Sequence, residues 1–200
     1  MTESGDIFEQ MRLYLPKYLT AERQDELRKE LRAFPHNKTI YTAYDVQGEL
    51  LQGDGWRGFL AIDFFSRQAK VVSGLILSNS CDIDTNNRRW LAPNVTFAPL
   101  VRLDAYIRRV SEAGATDEQI ADAQKAIRRQ EVTSLVYLPA IGGVMEESVA
   151  RLDDVRGHPV EHFMALSERS RLFRLNDFGF YLFLFKLSLH FTRMQEGVLR

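Results

Sequence analysis

The stretch Ala69-Lys-Val-Val-Ser-Gly-Leu-Ile-Leu-Ser-Asn79 decides the fold expected for this chain. It is rich in β-branched and other apolar residues, and it ends in Ser and Asn, which favour a turn. Gly53-Asp54 and the apolar segment 57–65 precede it. Together these segments predict two adjacent barrel strands that end in a polar corner. A third strand is predicted over 95–100, where Pro99 is expected at a sheet edge or at the end of the strand.

Helical patterns flank and interrupt the predicted strands. Apolar residues recur at helical spacing within 6–34, and Pro16 divides this segment, which predicts a helical hairpin. Thr116-Asp-Glu-Gln119 has the form of a capping box and contributes to a helical insertion predicted over 104–130.

The predicted organisation is a single domain of the α+β class over 1–200, because this length is enough for one well-buried core. Barrel strands are expected over 39–101 and 132–156. A long apolar helix is expected over 175–194.

Composition excludes several classes of protein. The 26 Lys and Arg residues and 27 Asp and Glu residues give a formal net charge of -1, so no overall field draws the chain to nucleic acid or to an anionic membrane. Cys81 is the only cysteine, which excludes an internal disulfide and indicates a reducing compartment. The acidic N-terminus does not match a signal peptide, and the apolar run near the C-terminus is too short to span a membrane. We therefore expect a cytoplasmic protein with no cofactor, no metal and no membrane partner.

The order of several short motifs resembles that of the PemK/MazF toxin family. The motifs are Gly53-Asp54, Ile62-Asp63-Phe64, Leu75-Ile-Leu-Ser-Asn79, Phe97-Ala-Pro-Leu100, Leu138-Pro139, and Ser148-Val149 leading to Asp153-Asp-Val-Arg156. The resemblance covers roughly residues 50 to 193 and is interrupted by the helical insertion. It implies an SH3-like small β-barrel and a prokaryotic toxin–antitoxin or defence setting, in a family made up mostly of sequence-specific endoribonucleases.

The resemblance also implies where the family's catalytic groups fall. The expected arginine corresponds to Val72, and the expected threonine corresponds to Val101. Cleaving RNA without a metal requires a cation for the phosphate and a group that moves the 2′-hydroxyl proton, and two valines supply neither. Arg102 and Arg57 lie within a few positions and are candidates for a rebuilt catalytic site. The alternative for Arg102 is a solvated loop position.

Ser78-Asn-Ser-Cys-Asp-Ile-Asp84 is the densest polar cluster in the sequence. Cys81 is a candidate nucleophile, and Asp82 with Asp84 offers oxygen ligands for a hard cation. In the structural interpretation, the Ser, Asn and Asp residues build a tight turn and Cys81 packs as a small apolar residue. No histidine follows Cys81 at local spacing, so the structural interpretation is favoured and no metal site is predicted.

A second candidate site follows this corner, in Asn86-Asn-Arg-Arg-Trp90. Two cations beside an aromatic ring can contact a phosphate and stack a base. Arg88, Arg89 and Trp90 are therefore candidate nucleic-acid-binding residues, together with Lys70 and Asn79. Equally, Trp90 could anchor this loop on the barrel while the arginines remain in water.

The predicted C-terminal helix is apolar nearly all round, and a small barrel can cover only one side of it. The other side is a candidate interface that contains Phe180, Leu184, Leu187 and Phe191. It would meet the N-terminal hairpin, a second copy in a possible homodimer, or a different protein.

The substituted catalytic positions favour recognition over catalysis. The expected function is a non-catalytic PemK/MazF-like module that binds nucleic acid, RNA rather than DNA, or a protein partner. The alternatives are an endoribonuclease with substituted catalytic residues and a structural subunit of a larger complex.

Overall fold

The structure is a computed structural model that describes residues 22, 29, 40–42, 49–63, 67–87 and 89–192. The helical hairpin predicted over 6–34 lies outside the described residues except for Glu22 and Lys29, which are both helical and exposed. The candidate residue Arg88 also lies outside them.

Seven strands and five helices are assigned within the described ranges. The strands are β1 (Gly55–Asp63), β2 (Gln68–Ile76), β3 (Asn94–Arg102), β4 (Leu135–Leu138), β5 (Ser148–Arg151), β6 (Arg156–Pro159) and β7 (Ser170–Phe173). The helices are α1 (Ser80–Ile83), α2 (Leu103–Glu112), α3 (Asp117–Arg128), α4 (Val160–Ala165) and α5 (Asp177–Thr192). Helices α2 and α3 occupy the predicted insertion, whereas the sequence patterns do not predict α4 or β7.

The strands form one antiparallel sheet in the order β4-β5-β3-β2-β1-β7, with β6 pairing beside β3. The sheet is open, because β4 and β7 stand at the two ends of this order. The chain is therefore a mixed α and β structure built on an antiparallel sheet. The closed SH3-like barrel is not confirmed.

Pro99 lies inside β3 and is buried, so its predicted position at an edge or strand end is wrong. On one side of β3 it faces Gly74 of β2. On the other side, β6 pairs with β3 at Phe97 and β5 pairs with it from Leu100, with a register shift of three residues between them. Pro99 lies at this interruption, where a strand tolerates a residue without an N–H group.

Helices cover both faces of the sheet. Helix α5 packs on one face, against side chains from β2, β3, β4, β5 and β7. On the opposite face, α1 and α4 cover β1, β2 and β3, while α2 and α3 cover β4 and β5. Strands that are buried on both faces have continuous apolar runs rather than alternation, as in Leu75–Leu77 and Leu135–Leu138, which are buried throughout.

A bulge at Gly58 shapes the core between β1 and α4. Gly58 has a φ of 117°, and the register of β1 with β2 shifts between Arg57 and Phe59. The extra residue places Trp56 and Phe59 on the same face of the sheet. Both pack on Phe163 of α4, and the centroids of the Phe59 and Phe163 rings lie 4.4 Å apart.

A side chain occupies hydrogen-bonding groups at the β4 edge of the sheet, and a short segment pairs with the chain directly after β7. At β4, the backbone N of Tyr137 donates to the side-chain oxygen of Gln130 at 3.0 Å, and the amide nitrogen of Gln130 donates to the carbonyl of Tyr137 at 2.7 Å. Directly after β7, Tyr41 bridges to Leu175, and Thr42 N donates to the carbonyl of Arg174 at 3.0 Å. Occupied edges resist pairing with another chain.

Helix α5 is apolar on nearly every side but contains a buried lysine. Lys186 is 2% exposed, and its Nζ donates to the carbonyl of Gln130 at 2.7 Å and to that of Val132 at 2.5 Å. Burial lowers the pKa of Lys186 to about 7. In the part of the chain that the structure describes, no helix, including this one of 16 residues, is both long and apolar enough to cross a membrane.

Candidate recognition site

The polar corner after β2 forms α1, and its polar side chains bond to nearby backbone. The Oδ1 of Asn79 accepts a hydrogen bond from Cys81 N at 2.9 Å, and the Oγ of Ser80 accepts one from Gln52 N at 2.9 Å. The Oδ1 of Asp84 accepts one from Asn86 N at 2.8 Å. These bonds agree with the structural interpretation of the corner. Cys81, however, is exposed and does not pack as a small apolar residue.

A cavity of about 240 Å³ lies beside α1. The loop before β1, the segment from Ser80 to Asn86, and α4 form its walls. Its apolar lining includes Leu50, Ile83 and Val160, which are at most 9% exposed.

The mouth of this cavity is polar. The lining residues Glu49, Cys81 and Asp84 are all exposed. Among the described residues, the lining of the cavity thus combines an apolar floor with two accessible carboxylates and contains no lysine or arginine.

The loop between α1 and β3, residues 84–93 without the undescribed position 88, is called here the Trp90 loop. Trp90 at its centre is 103% exposed, and the adjacent Leu91 is 83% exposed. Trp90 therefore does not anchor the loop on the sheet, which was one of the two interpretations of the sequence. Two adjacent large apolar side chains project into solvent.

Arg89 holds the Trp90 loop against α1. Its Nη2 donates to the carbonyl of Cys81 at 2.6 Å and lies 3.6 Å from Asp82 Oδ1. The side-chain amide of Asn87 donates to the same carbonyl at 2.8 Å. The structure thus brings the candidates Asn79, Cys81, Arg89 and Trp90 together around one short helix.

The other cationic candidates lie on the sheet. Arg102 ends β3, where its Nη2 lies 3.0 Å from Asp104 Oδ2 and its Nη1 lies 3.3 Å from Glu146 Oε2. Arg57 on β1 and Lys70 on β2 are exposed. Strand β2 separates the strands that carry Arg57 and Arg102.

The two positions at which the resemblance to the PemK/MazF family would place catalytic groups have packing roles. Val72 is half-buried and packs against the cluster that contains Phe59 and Phe163. Val101 is half-buried and packs against the cluster formed with α2 and α3. Neither can transfer a proton or hold a phosphate.

Carboxylates pair with many arginines of the described surface. Besides Arg89 and Arg102, the pairs are Arg128 with Glu147 at 2.9 Å, Arg129 with Glu131 at 2.9 Å, Arg151 with Asp153 at 2.7 Å, and Arg156 with Asp154 at 3.0 Å. A phosphate at any of these arginines would have to compete with a carboxylate that is already in place.

The sequence did not reveal a cluster that joins α3 to β4 and β5. The hydroxyl of Tyr137 donates to Glu147 Oε1 at 2.5 Å, and Arg128 donates to both carboxylate oxygens of Glu147. Burial and the neighbouring Glu147 raise the pKa of Tyr137 to about 12, while the bond from Arg128 lowers the pKa of Glu147. Arg128 lies on α3, Tyr137 on β4 and Glu147 directly before β5, so no local spacing could have indicated the cluster.

Asp54 of the Gly53-Asp54 motif is a structural residue. It is 1% exposed, and Arg174 donates to both of its oxygens, from Nε to Oδ1 at 3.0 Å and from Nη2 to Oδ2 at 2.9 Å. Burial raises the pKa of Asp54, and the bonds from Arg174 act in the opposite direction. This pair fastens the segment after β7 to the start of β1.

The candidate interface residues of α5 differ in exposure. Phe180, Leu184 and Leu187 are half-buried and pack against the core on that face of the sheet, whereas Phe191 is 60% exposed. Their role in association remains a prediction.

No group of three or more His, Cys, Asp or Glu residues within the described ranges is placed to hold a metal ion. Comparison of the chain with models of known protein families and with curated proteins finds no match.

Proposed function

We propose that this chain is a non-catalytic recognition module that binds another protein through the Trp90 loop. The observation that carries the proposal is the exposure of two adjacent apolar side chains, Trp90 at 103% and Leu91 at 83%. Tryptophan is enriched among the few residues that contribute most of the affinity of protein interfaces. Covering both side chains would supply the apolar burial that drives such binding.

The charges around the loop favour a protein partner over nucleic acid. Arg89 already donates to the Cys81 carbonyl and lies near Asp82. Binding a phosphate would separate these groups and would bring an anion close to the Asp82 carboxylate. A protein surface that covers Trp90 can leave them in place.

The surroundings of Arg102, Val72 and Val101 support a non-catalytic role. Arg102 is the cation nearest in sequence to the missing threonine of the PemK/MazF pattern, and it is engaged by Asp104 and Glu146. Val72 and Val101 contribute only packing. The prokaryotic toxin–antitoxin or defence setting and the SH3-like barrel belong to the proposal through the family resemblance alone, and the cytoplasmic location belongs to it through the reducing compartment that the single cysteine indicates.

Site-directed photocrosslinking tests the proposal. A benzophenone amino acid replaces Trp90 in one variant, Val71 in a second and Glu118 in a third. Val71 lies on a rival apolar surface, at 64% exposure, and Glu118 is an exposed polar position on α3. After irradiation in cells that naturally contain the chain, we expect one discrete protein adduct from position 90 and none from position 118.

A nucleic-acid assay accompanies the crosslinking. Mixed-sequence single-stranded RNA and DNA are incubated with the wild type at low salt, and both binding and cleavage are measured. We expect neither. RNA cleavage that Arg102→Ala abolishes would replace the proposal with the endoribonuclease alternative, and adducts from position 71 alone would move the binding surface to the β1–β2 hairpin.

A further inference from the structure

The cavity beside α1 has a floor that suits the apolar part of an organic molecule. Leu50, Ile83 and Val160 line it and are 9%, 2% and 0% exposed. Half-buried Met164 of α4 lines it as well, and a thioether adapts its shape to an inserted group and contacts aromatic rings favourably. A ligand that covers this floor gains apolar burial.

The size of the cavity limits the ligand. Its volume is about 240 Å³. A cavity of about 150 Å³ with an apolar lining holds one benzene molecule, whereas the pockets of larger ligands enclose roughly 300–1,000 Å³. The cavity therefore matches one aromatic ring that carries a short chain.

The carboxylates of the cavity form no salt bridge within the described ranges. They belong to Glu49 and Asp84, which are both exposed. The hydrogen bonds that Asp84 accepts come from the neutral amide groups of Asn86. Arg174 lies 3.5 Å from the backbone carbonyl of Glu49, and its guanidinium pairs with both oxygens of Asp54. The negative charge of the cavity thus favours a cation over an anion.

An organic cation fits this cavity better than a metal ion. Hard metal ions are held by several oxygen ligands, and the described residues contain no group of three or more His, Cys, Asp or Glu that could hold one. A metal ion would also leave the apolar floor uncovered. A molecule with an apolar body and one positive charge uses both parts of the lining.

We propose that the cavity binds a small protonated amine that carries an aromatic ring. The ring covers the apolar floor, and the ammonium group lies beside the carboxylates of Glu49 and Asp84. An ammonium group has three N–H donors, so it can donate to both carboxylates. This inference goes beyond the binding of a protein through the Trp90 loop, because it assigns a second site with a ligand of its own.

Three probes of similar shape and different charge test the inference: phenethylamine, phenethyl alcohol and phenylacetate. Phenethylamine has nine non-hydrogen atoms, for which a dissociation constant of roughly 0.1–10 mM is expected. Two exposed carboxylates should make the amine bind about 5- to 25-fold more tightly than the alcohol, with phenylacetate the weakest of the three. Added salt should weaken the binding of the amine and leave that of the alcohol unchanged.

Nuclear magnetic resonance titrations measure these affinities and locate the ligand. We expect nuclear Overhauser effects between the ring protons of phenethylamine and the methyl groups of Ile83 and Met164. Glu49→Gln and Asp84→Asn should each weaken the binding of the amine by about 2- to 5-fold and leave that of the alcohol unchanged. Glu118→Gln removes an exposed carboxylate on α3 and is the control that should change neither affinity.

The single cysteine allows the cavity to be blocked without a substitution in its floor. Cys81 is exposed in the lining, so alkylation of its thiol with N-ethylmaleimide places a bulky group there. The alkylated wild type should lose the binding of both the amine and the alcohol. Cys81→Ala treated with the same reagent should bind them as the untreated wild type does.

Several results would overturn the inference. They are no binding of phenethylamine at millimolar concentration, equal affinities for the amine and the alcohol, and tighter binding of phenylacetate. Binding that survives alkylation and gives no contact with Ile83 or Met164 would place the site elsewhere and overturn it as well. None of these results depends on crosslinking from position 90, so the inference and the proposed function fail separately.

Discussion

Replacing Lys186 with methionine tests the packing of α5 on the sheet. Methionine has nearly the same length as lysine and carries no charge, so Lys186→Met removes the burial of an ammonium group without opening a large cavity. It also leaves the carbonyls of Gln130 and Val132 without the donor that they have in the wild type. At neutral pH the first effect stabilises the variant relative to the wild type and the second destabilises it. As the pH rises, the first effect disappears and the second remains.

The magnitude follows from the lowered pKa. The pKa of Lys186 is about 7 in the folded chain against an ordinary value of 10.5. Between these values the unfolded chain binds more protons than the folded chain, so the stability of the wild type increases with pH. The complete pKa shift corresponds to a gain of roughly 5 kcal/mol in the free energy of unfolding of the wild type. About 3 kcal/mol of this gain occurs between pH 7 and pH 9.5.

The stabilities of the two proteins at pH 7 should therefore be similar. Losing the charge removes several kcal/mol of destabilisation, and each carbonyl without a donor costs about 1–3 kcal/mol. At pH 9.5 the wild type has a largely neutral amine that still donates to both carbonyls. We expect it to be more stable than Lys186→Met by about 3 kcal/mol at that pH.

Urea denaturation at a series of pH values measures this difference. Lys125→Met is the matched control, because Lys125 is an exposed lysine on α3 and its replacement should shift stability by the same small amount at every pH. The free energy of unfolding of the wild type minus that of Lys186→Met should rise steadily with pH. A constant difference would refute the reasoning, since it would show that the buried amine does not titrate below its ordinary range.

Two further substitutions test contacts at the two ends of the sheet, the approach of Gly179 to Ile40 and the bonds of Gln130 to Tyr137. Gly179→Ala should destabilise the chain by about 1–3 kcal/mol, despite the higher helix propensity of alanine, because the new Cβ would overlap the carbonyl oxygen of Ile40. Gly142→Ala, with no atom within 4 Å of its Cβ, is the control, and equal melting temperatures for the two variants would contradict the close contact. Gln130→Asn keeps a residue that tolerates the positive φ of 61°, but its amide is one methylene short of Tyr137, so we expect a loss of about 1–2 kcal/mol. Sedimentation should also show association through the uncovered edge of β4, and unchanged stability would disprove the edge role of Gln130.

Local signals predicted the helical insertion well. Thr116-Asp-Glu-Gln119 is confirmed as a capping box, in which Gln119 N donates to Thr116 Oγ1 and Thr116 N donates to Gln119 Oε1. All partners of this motif lie within four residues, so sequence spacing alone defines it. Elements such as β7 and α4 are only four and six residues long, and long-range packing of Phe163 and Phe173 on the sheet stabilises them. No pattern within so few residues can indicate that packing.

The candidate site could be predicted only in part, for a similar reason. The cation of Arg89 beside the aromatic ring of Trp90 favours a binding site in this loop. Two features of the structure decide whether Arg89 or Trp90 is available to a partner. Arg89 donates to the carbonyl of Cys81, whereas Trp90 packs against no apolar surface in the described part of the chain. The cavity is assembled from three separate segments, which sequence spacing cannot bring together.

The way the sheet edges are occupied bears on how this chain can associate. Gln130 bonds to both backbone groups of Tyr137 on β4, and Tyr41 and Thr42 pair with the segment directly after β7, so addition of a strand from another protein is hindered at these positions. This favours recognition through side chains over backbone pairing. Among these, Trp90 and the adjacent Leu91 are the most exposed large apolar side chains of the described residues. An interface centred on Trp90 therefore leaves the bonds of the sheet in place, whereas one at the β4 edge would first have to displace the bonds between Gln130 and Tyr137.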